Sequence, residues 1–337
     1  MASIREIADR AGVSISTVSR VMNGSARVDD DKKARVAEAM AFYDYAPSQF
    51  GRALRRRKSA MVALVVPSAS LGVFELGFLR GAASVVMENG CSLVLICDEV
   101  VDDERPAFIS AALERRVDAL LFALPPTTER LIDSLKVLER NGIPFCHVGR
   151  HAAEGGASVY AKYEDYTLDN LVYLYERGHE HIVLFHSAAH GEYVRRVLDQ
   201  AQRTCPGIDV LALEMKGRNI ADQLGQVLSK HVVDGPYRAM TNLDSEDLPV
   251  LLSLLPGRGI RVPDDLSIIV TENSEDAHRD IYPGYTARVV PSTAMGGHAA
   301  SMLFDMLNGK LEGDGYRREF ETAFVPRCSV KMMKEEL

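Results

Sequence analysis

Between positions 14 and 23 the residues Ser14, Ile15, Ser16, Thr17, Ser19, Arg20 and Asn23 line up hydroxyls, a guanidinium, an amide and one branched apolar side chain. Groups of this kind bond base edges and phosphates. Arginine can fork onto guanine, a small hydroxyl accepts or donates at several edges, and a branched apolar group suits a thymine methyl. The intervening Val18, Val21 and Met22 repeat the spacing of a buried helical stripe, which leaves the polar set facing outward. The chemistry indicated is nucleic-acid reading. The alternative packs Ile15 into a core and pairs Arg20 with Asp9 or Asp29, although exposed ion pairs contribute only about 0–1 kcal/mol.

A reading helix needs a scaffold, and the flanking residues supply one. Ile4, Ile7, Ala8 and Ala11 form one apolar face, Gly12 can take positive φ at a sharp turn, and Ser14 is placed to cap the second helix. Asn23-Gly24 ends that helix. Asp29 can cap a third, whose Val36, Ala39, Met40 and Tyr43 face inward. Residues 1–46 thus read as a small all-α helix-turn-helix headpiece, and the basic segment 47–59 as a hinge or linker.

The net charge of −8 argues against a DNA binder until it is divided along the chain. Residues 1–58 carry 12 Lys/Arg against 7 Asp/Glu, whereas the remainder carries 27 against 40. A basic module on an acidic body attracts phosphate at one end only. Residues 1–50 alone are neutral, with seven charges of each sign, so the grip falls to the hinge.

No run of about 18 apolar residues occurs and the N-terminus opens on a charged helical pattern, so the expectation is a cytoplasmic protein with no membrane partner. Cys91, Cys97, Cys146, Cys205 and Cys328 are scattered without metal-ligand spacing and read as reduced structural thiols. No dinucleotide, P-loop, Gly-x-Ser-x-Gly or His-Glu-x-x-His motif is present, which argues against an enzyme and against a metal or cofactor.

Residues 60–330 alternate apolar strands at 61–66, 92–97, 117–123, 143–148, 181–186, 208–213, 237–241 and 266–270 with amphipathic helices. Continuous apolar strands between helices imply parallel sheets covered on both faces. The fold class is therefore α/β, with two doubly wound subdomains and a ligand cleft at the carboxyl ends of the strands. The tail, 331–337, is too short for tetramerising heptads.

The run from Ile7 to Asn23 closely resembles the helix-turn-helix of the lactose-repressor/galactose-repressor (LacI/GalR) family, and Tyr45-x-Pro47 with Arg52-Ala53-Leu54 resembles its hinge. Arg177-Gly178-His179, Val262-Pro263-Asp264-Asp265-Leu266 and Pro291-x-x-x-Met295-Gly296 match further landmarks. The resemblance implies a homodimeric repressor with a periplasmic-binding-protein-like body. Its paired headpieces would bind pseudo-palindromic double-stranded operator DNA under control of a small effector. It implies a DNA interface of Ser3, Ile4, Ser14, Ile15, Ser16, Thr17, Ser19, Arg20, Asn23, Tyr45, Arg52, Leu54 and Arg55, with Leu54 wedged into the minor groove.

For the effector it implies Ser68, Ser70, Phe74, Arg150, Arg196, Asn242, Asp244 and Glu272, and a sugar, sugar acid or sugar phosphate as ligand. Several positions depart from the family pattern: Ala161-Lys162, Asp199-Gln200 and Glu272-Asn273 replace its usual polar pairs. Arg150, Lys162, Arg195 and Arg196 with His147, His186 and His190 make the strand ends basic, which suits an anionic ligand; rim charges paired across the cleft are the other reading. A transport-type binding protein would need an export signal, and a repressor answering to a partner protein, or to nothing, stays open.

Gly51 stands where the family hinge has alanine, and glycine costs about 1 kcal/mol more inside a helix. Gly51→Ala should therefore tighten binding to an operator selected from random DNA, and affinity should fall steeply with salt. Equal binding by both proteins in a gel-shift titration would remove the hinge argument.

Overall fold

The computed structural model describes residues 3–22, 28–43, 59–67, 72–98, 106–123, 129–149, 156–187, 190–215, 219–273, 281, 283–311 and 316–333. They divide into two compact units, Met1–Ala60 and Met61–Leu337.

Side-chain caps set the helices of the first unit. Ser3 and Glu6 form a reciprocal capping box on α1 (Ile4–Ala11), the Ser3 amide donating to Glu6 Oε2 at 2.6 Å and the Glu6 amide to Ser3 Oγ at 3.3 Å. Gly12 ends α1 at φ +59°, a conformation glycine takes without steric cost, and Arg35 donates to its carbonyl at 3.1 Å. The Thr17 amide donates to Ser14 Oγ at 3.2 Å and opens α2 (Ile15–Met22). The Asp31 amide donates to Asp29 at 3.0 Å and opens α3 (Asp30–Phe42). Ile7, Ala8, Ala11, Val18, Val36 and Ala39 then close a small core.

In the second unit, β1 (Met61–Pro67), α4 (Val73–Glu88), β2 (Ser92–Asp98), α5 (Ala107–Leu113), β3 (Ala119–Phe122), α6 (Glu129–Arg140), β4 (Phe145–Gly149) and β5 (Ala157–Tyr160) build one lobe. A second lobe follows from α7 (Tyr163–Glu176), β6 (His181–His186), α8 (Gly191–Thr204), β7 (Asp209–Glu214), α9 (Ile220–Val227), β8 (Ala239–Asp244), α10 (Leu248–Leu254), β9 (Ser267–Glu272) and β10 (Thr286–Val289). The chain then returns through α11 (Ser292–Leu307) and β11 (Arg317–Glu319) before crossing again to β12 (Ala323–Val325).

The strand orders are β11-β5-β4-β3-β1-β2, all parallel, and β12-β10-β9-β8-β6-β7, parallel except for β12. Alternation along each strand feeds two cores per sheet. Val62, Leu64 and Val66 meet Phe78, Ala82, Met295 and Leu303 of α4 and α11, while Ala63 and Val65 meet Phe108, Ala112, Leu135 and Leu138 of α5 and α6. In the other sheet Val183, Met240 and Ile268 face Leu224 and Leu251, and Ile182, Ala239 and Ile269 face Leu171 and Val197. Burial on both faces is what a parallel sheet requires.

The apolar runs predict eight strands, and the described residues contain twelve. β5 and β10 are only four residues long and include Ser158, Thr286 and Arg288, so no apolar run marks them. Arg288 is nonetheless 6% exposed. Its Nε donates to Asn170 at 3.0 Å and its guanidinium lies 3.6 Å from Asp169, so the charge is partnered inside the lobe.

Helices α4 and α11 approach through glycines: a methyl at Gly81 would overlap the Thr293 carbonyl, and one at Gly296 would overlap the Phe78 backbone. Gly81→Ala should cost ~1–3 kcal/mol in a urea unfolding titration, as overpacking does. Gly257→Ala, with open space around it, is the comparison and should change little.

Candidate functional site

The carboxyl ends of both sheets open onto one cavity, lined from one lobe by Gly72, Phe74 and Glu75 and from the other by Tyr163, the ends of β6, β8 and β9, and the turns that follow them. Phe74 begins α4 and packs edge-on against Phe78 at 4.3 Å. Tyr163 lies flat against His190, their rings 4.2 Å apart and within 5° of parallel, and Ser187 Oγ hydrogen-bonds His190 Nδ1 at 2.7 Å.

Asn242 sits on an irregularity in β8 at φ +60°, a region asparagine tolerates better than most residues. Its amide is engaged inward: it donates to Thr167 Oγ1 at 2.8 Å and accepts from Asn170 at 3.0 Å. Two residues on, Asp244 stands opposite Thr271 in the β8–β9 register, and the Ser245 amide donates to the Thr271 carbonyl at 3.0 Å. The buried amide network therefore fixes the turn that carries Asp244, Ser245, Glu246 and Asp247 to the cavity.

The described lining is acidic. Glu75, Asp244, Glu246, Asp247 and Glu272 contribute carboxylates, and no lysine or arginine occurs among the described lining residues. Burial, reinforced by Asp244 and Glu246, pushes the Asp247 carboxyl up to about 6.

Phe74, Asn242, Asp244 and Glu272 are thus brought together as expected residues of one cavity. Ser68, Ser70 and Arg150 lie outside the described residues. Arg196 does not line the cavity: it is exposed on α8 and tied to Glu192 at 2.6 Å, one helical turn away, which corrects the expectation. The basic strand ends are corrected too. Lys162 pairs with Glu319 at 3.3 Å and Asp165 at 3.6 Å, and Arg195 is exposed on α8. His147 is fully buried against Phe122, and burial lowers its pKa to about 4, so it is neutral. Of that basic set only His186 and His190 reach the cavity among the described residues. Glu75, Tyr163, Glu246, Asp247 and Thr271 were not expected there, because nothing local in the sequence marks them.

In the first unit Ser14 Oγ is spent as a cap and bonds Ser16 Oγ at 2.8 Å and Thr17 Oγ1 at 2.9 Å. Ile15 is 43% exposed, Ser16 and Arg20 are exposed, and Thr17 and Ser19 are half-buried. No ion pair joins Arg20 to Asp9 or Asp29. Ser3 caps α1 and Ile4 is half-buried against the headpiece core. Asn23, Tyr45, Arg52, Leu54 and Arg55 lie outside the described residues, as does the hinge.

An acid whose pKa is raised in the folded state stabilises it at low pH and loses that contribution as pH rises through the folded value. For Asp247 the window is about pH 4 to 6. Asp247→Asn should therefore raise the melting temperature of the ligand-free protein at pH 7.5 in calorimetry and narrow its gap with pH 4.5.

Residues 3–48 match the family described as "Bacterial regulatory proteins, lacI family", and residues 171–330 match a "Periplasmic binding protein-like domain". The repressors called "HTH-type transcriptional repressor PurR" of Edwardsiella ictaluri and Vibrio cholerae are 26% and 27% identical, the alignments spanning 98% of this chain and 97% and 98% of theirs. The lac repressor dimer bound to operator and the anti-inducer ONPF superposes with a TM-score of 0.78 at 19% identity, covering 98% of this chain and 99% of that one. A ribose-bound LacI family regulator from Enterococcus faecium gives 0.67 at 20% identity over 81% of this chain and all of its own. Among the described residues no helix is long and apolar enough to cross a membrane. With a capped helix-turn-helix before two parallel-sheet lobes, the chain belongs to the lactose-repressor/galactose-repressor (LacI/GalR) family of DNA-binding transcriptional regulators.

Proposed function

We infer that the protein is a homodimeric repressor in which residues 1–46 read an operator half-site, residues 47–59 link them to the body, and a small molecule in the interlobe cavity sets operator affinity. The observation that carries the reading is the outward face of α2. Ile15, Ser16 and Arg20 are exposed together along it while Val18 closes the headpiece core, so one face presents a branched apolar group, a hydroxyl and a guanidinium to a partner. Laid in a major groove, the start of α2 brings Ile15 and Ser16 to base edges, and Arg20 follows one turn later. Dimerisation supplies the second half-site, and the lac repressor dimer bound to operator is the solved precedent for that arrangement. Structures containing ribose and cellobiose are precedents for small-molecule control in this fold.

Selection of bound DNA from a random pool should return a two-fold symmetric site. Arg20→Ala should then weaken that site by ~10-fold or more and relax one G·C position, as loss of a bidentate contact worth about 1–3 kcal/mol does. A uniform loss across all sequences would assign Arg20 to phosphate instead.

A further inference from the structure

We propose that Arg288 is a positioning residue for the cavity: through Asn170 it fixes which way the Asn242 amide faces, so that Asn242 holds the cavity wall and offers an effector only a donated hydrogen bond. This deepens the effector reading above and rests on it. Arg288 lies on β10 with its side chain buried in the second lobe, and three contacts hold the guanidinium there. Nε donates to Asn170 Oδ1 at 3.0 Å, a second guanidinium nitrogen lies 3.6 Å from Asp169, and the ring of Phe324, paired opposite on β12, is 4.7 Å away. Turning out of these contacts would strand a buried charge, which is costly.

From that anchor a line of amides leads to the cavity. Arginine carries N–H donors and no acceptor, so the end of Asn170 that faces it must be the carbonyl oxygen. The other end is then the Asn170 NH2, which donates to Asn242 Oδ1 at 3.0 Å. The same oxygen accepts from Thr241 Oγ1 at 3.1 Å, and the Asn242 NH2 donates to Thr167 Oγ1 at 2.8 Å. Reversing either amide, or both, sets two donors against each other. The donor-only arginine therefore dictates the sense of every amide link between β10 and the cavity.

Asn242 lines the cavity where β8 departs from regular pairing, and Asp244 and Ser245 follow it into the turn. Its oxygen already accepts two hydrogen bonds, so toward a ligand this side chain is an N–H donor at most. The same bonds clamp the irregular strand to α7, which carries both Thr167 and Asn170. Thr167, Asn170 and Thr241 are fully buried, so bulk solvent does not make good a lost link.

The test compares two isosteric substitutions in the full chain. In Asn170→Asp a carboxylate still faces Arg288, which keeps it ionised, but its second oxygen meets Asn242 Oδ1, so the Asn242 amide must turn over or part from it. In Asn242→Asp the carboxyl group still accepts from Asn170 and Thr241, and the Thr167 hydroxyl turns to donate. Hydrogen exchange of the ligand-free protein is read by mass spectrometry over residues 242–248. Asn170→Asp and Arg288→Met should speed exchange there at least ~10-fold and leave β1 unchanged, whereas Asn242→Asp and the donor-only Arg288→Lys should stay within about threefold of the parent. Circular dichroism checks folding, and the two Asp variants decide if Arg288→Met does not fold. Equal exchange in those two variants overturns the assignment, as does a rise spread evenly over the second lobe. Ribose, cellobiose, gluconate and ribose 5-phosphate are then titrated by calorimetry and against operator binding. Asn170→Asp should weaken any probe that binds by ~10-fold or more, and unchanged binding overturns the assignment. If no probe binds or alters operator affinity, the effector reading falls, while the exchange data decide separately whether Arg288 positions the wall.

Discussion

The chain passes between the two sheets three times, and the architecture of the body depends on that constraint. It leaves the first sheet after β5, returns after β10 and leaves again after β11, so each lobe is completed by a segment distant in sequence. The crossings are pinned by backbone hydrogen bonds: Ala161 to the Gly149 carbonyl at 3.1 Å, Val290 to that of Glu272 at 2.7 Å and Phe320 to that of Tyr160 at 2.7 Å. Each sheet therefore takes an edge strand from a segment that has first passed through the other lobe. The cavity inherits its position from the same constraint, because Tyr163 and Glu272 both flank a crossing.

Much of the fold is legible in the sequence where one side chain pattern has one meaning. The headpiece is the clearest case: the apolar spacing of Ile7, Ala8, Ala11 and Val18 with caps at Ser3, Ser14 and Asp29 leaves a single way to pack three short helices. Long apolar strands are equally plain. Illegible are the elements whose identity is decided by a distant partner. β10 contains a buried arginine that is tolerable only because Asn170 and Asp169 of α7 meet it, and no spacing rule connects position 288 with 170.

The candidate site shows the same division more sharply. Phe74, Asn242, Asp244 and Glu272 are recoverable through the family resemblance, since each closely follows or ends a strand on which that resemblance can be aligned. The sign of the site is not recoverable. Lys162 and Arg196 look like cleft cations in the sequence, yet both are exposed outside the described cavity lining, where each meets a carboxylate one helical turn away, Asp165 and Glu192. Glu75, Glu246 and Glu272 come together only through the crossings, so the local charge balance of the sequence is a poor guide to which charged residues line the cleft.

That convergence bears on how the cleft can signal. Glu75 and Glu246 reach the same point beside Gly72 from opposite lobes, so a group bound there is within reach of both. A ligand shifts an equilibrium only by its difference in affinity for the two states, and contacts made to both lobes at once exist in just one of them. Coupling of this kind is commonly about 1–3 kcal/mol, enough to change operator occupancy five- to a hundredfold. The convergence of both lobes on one cavity is, on this argument, the source of its response.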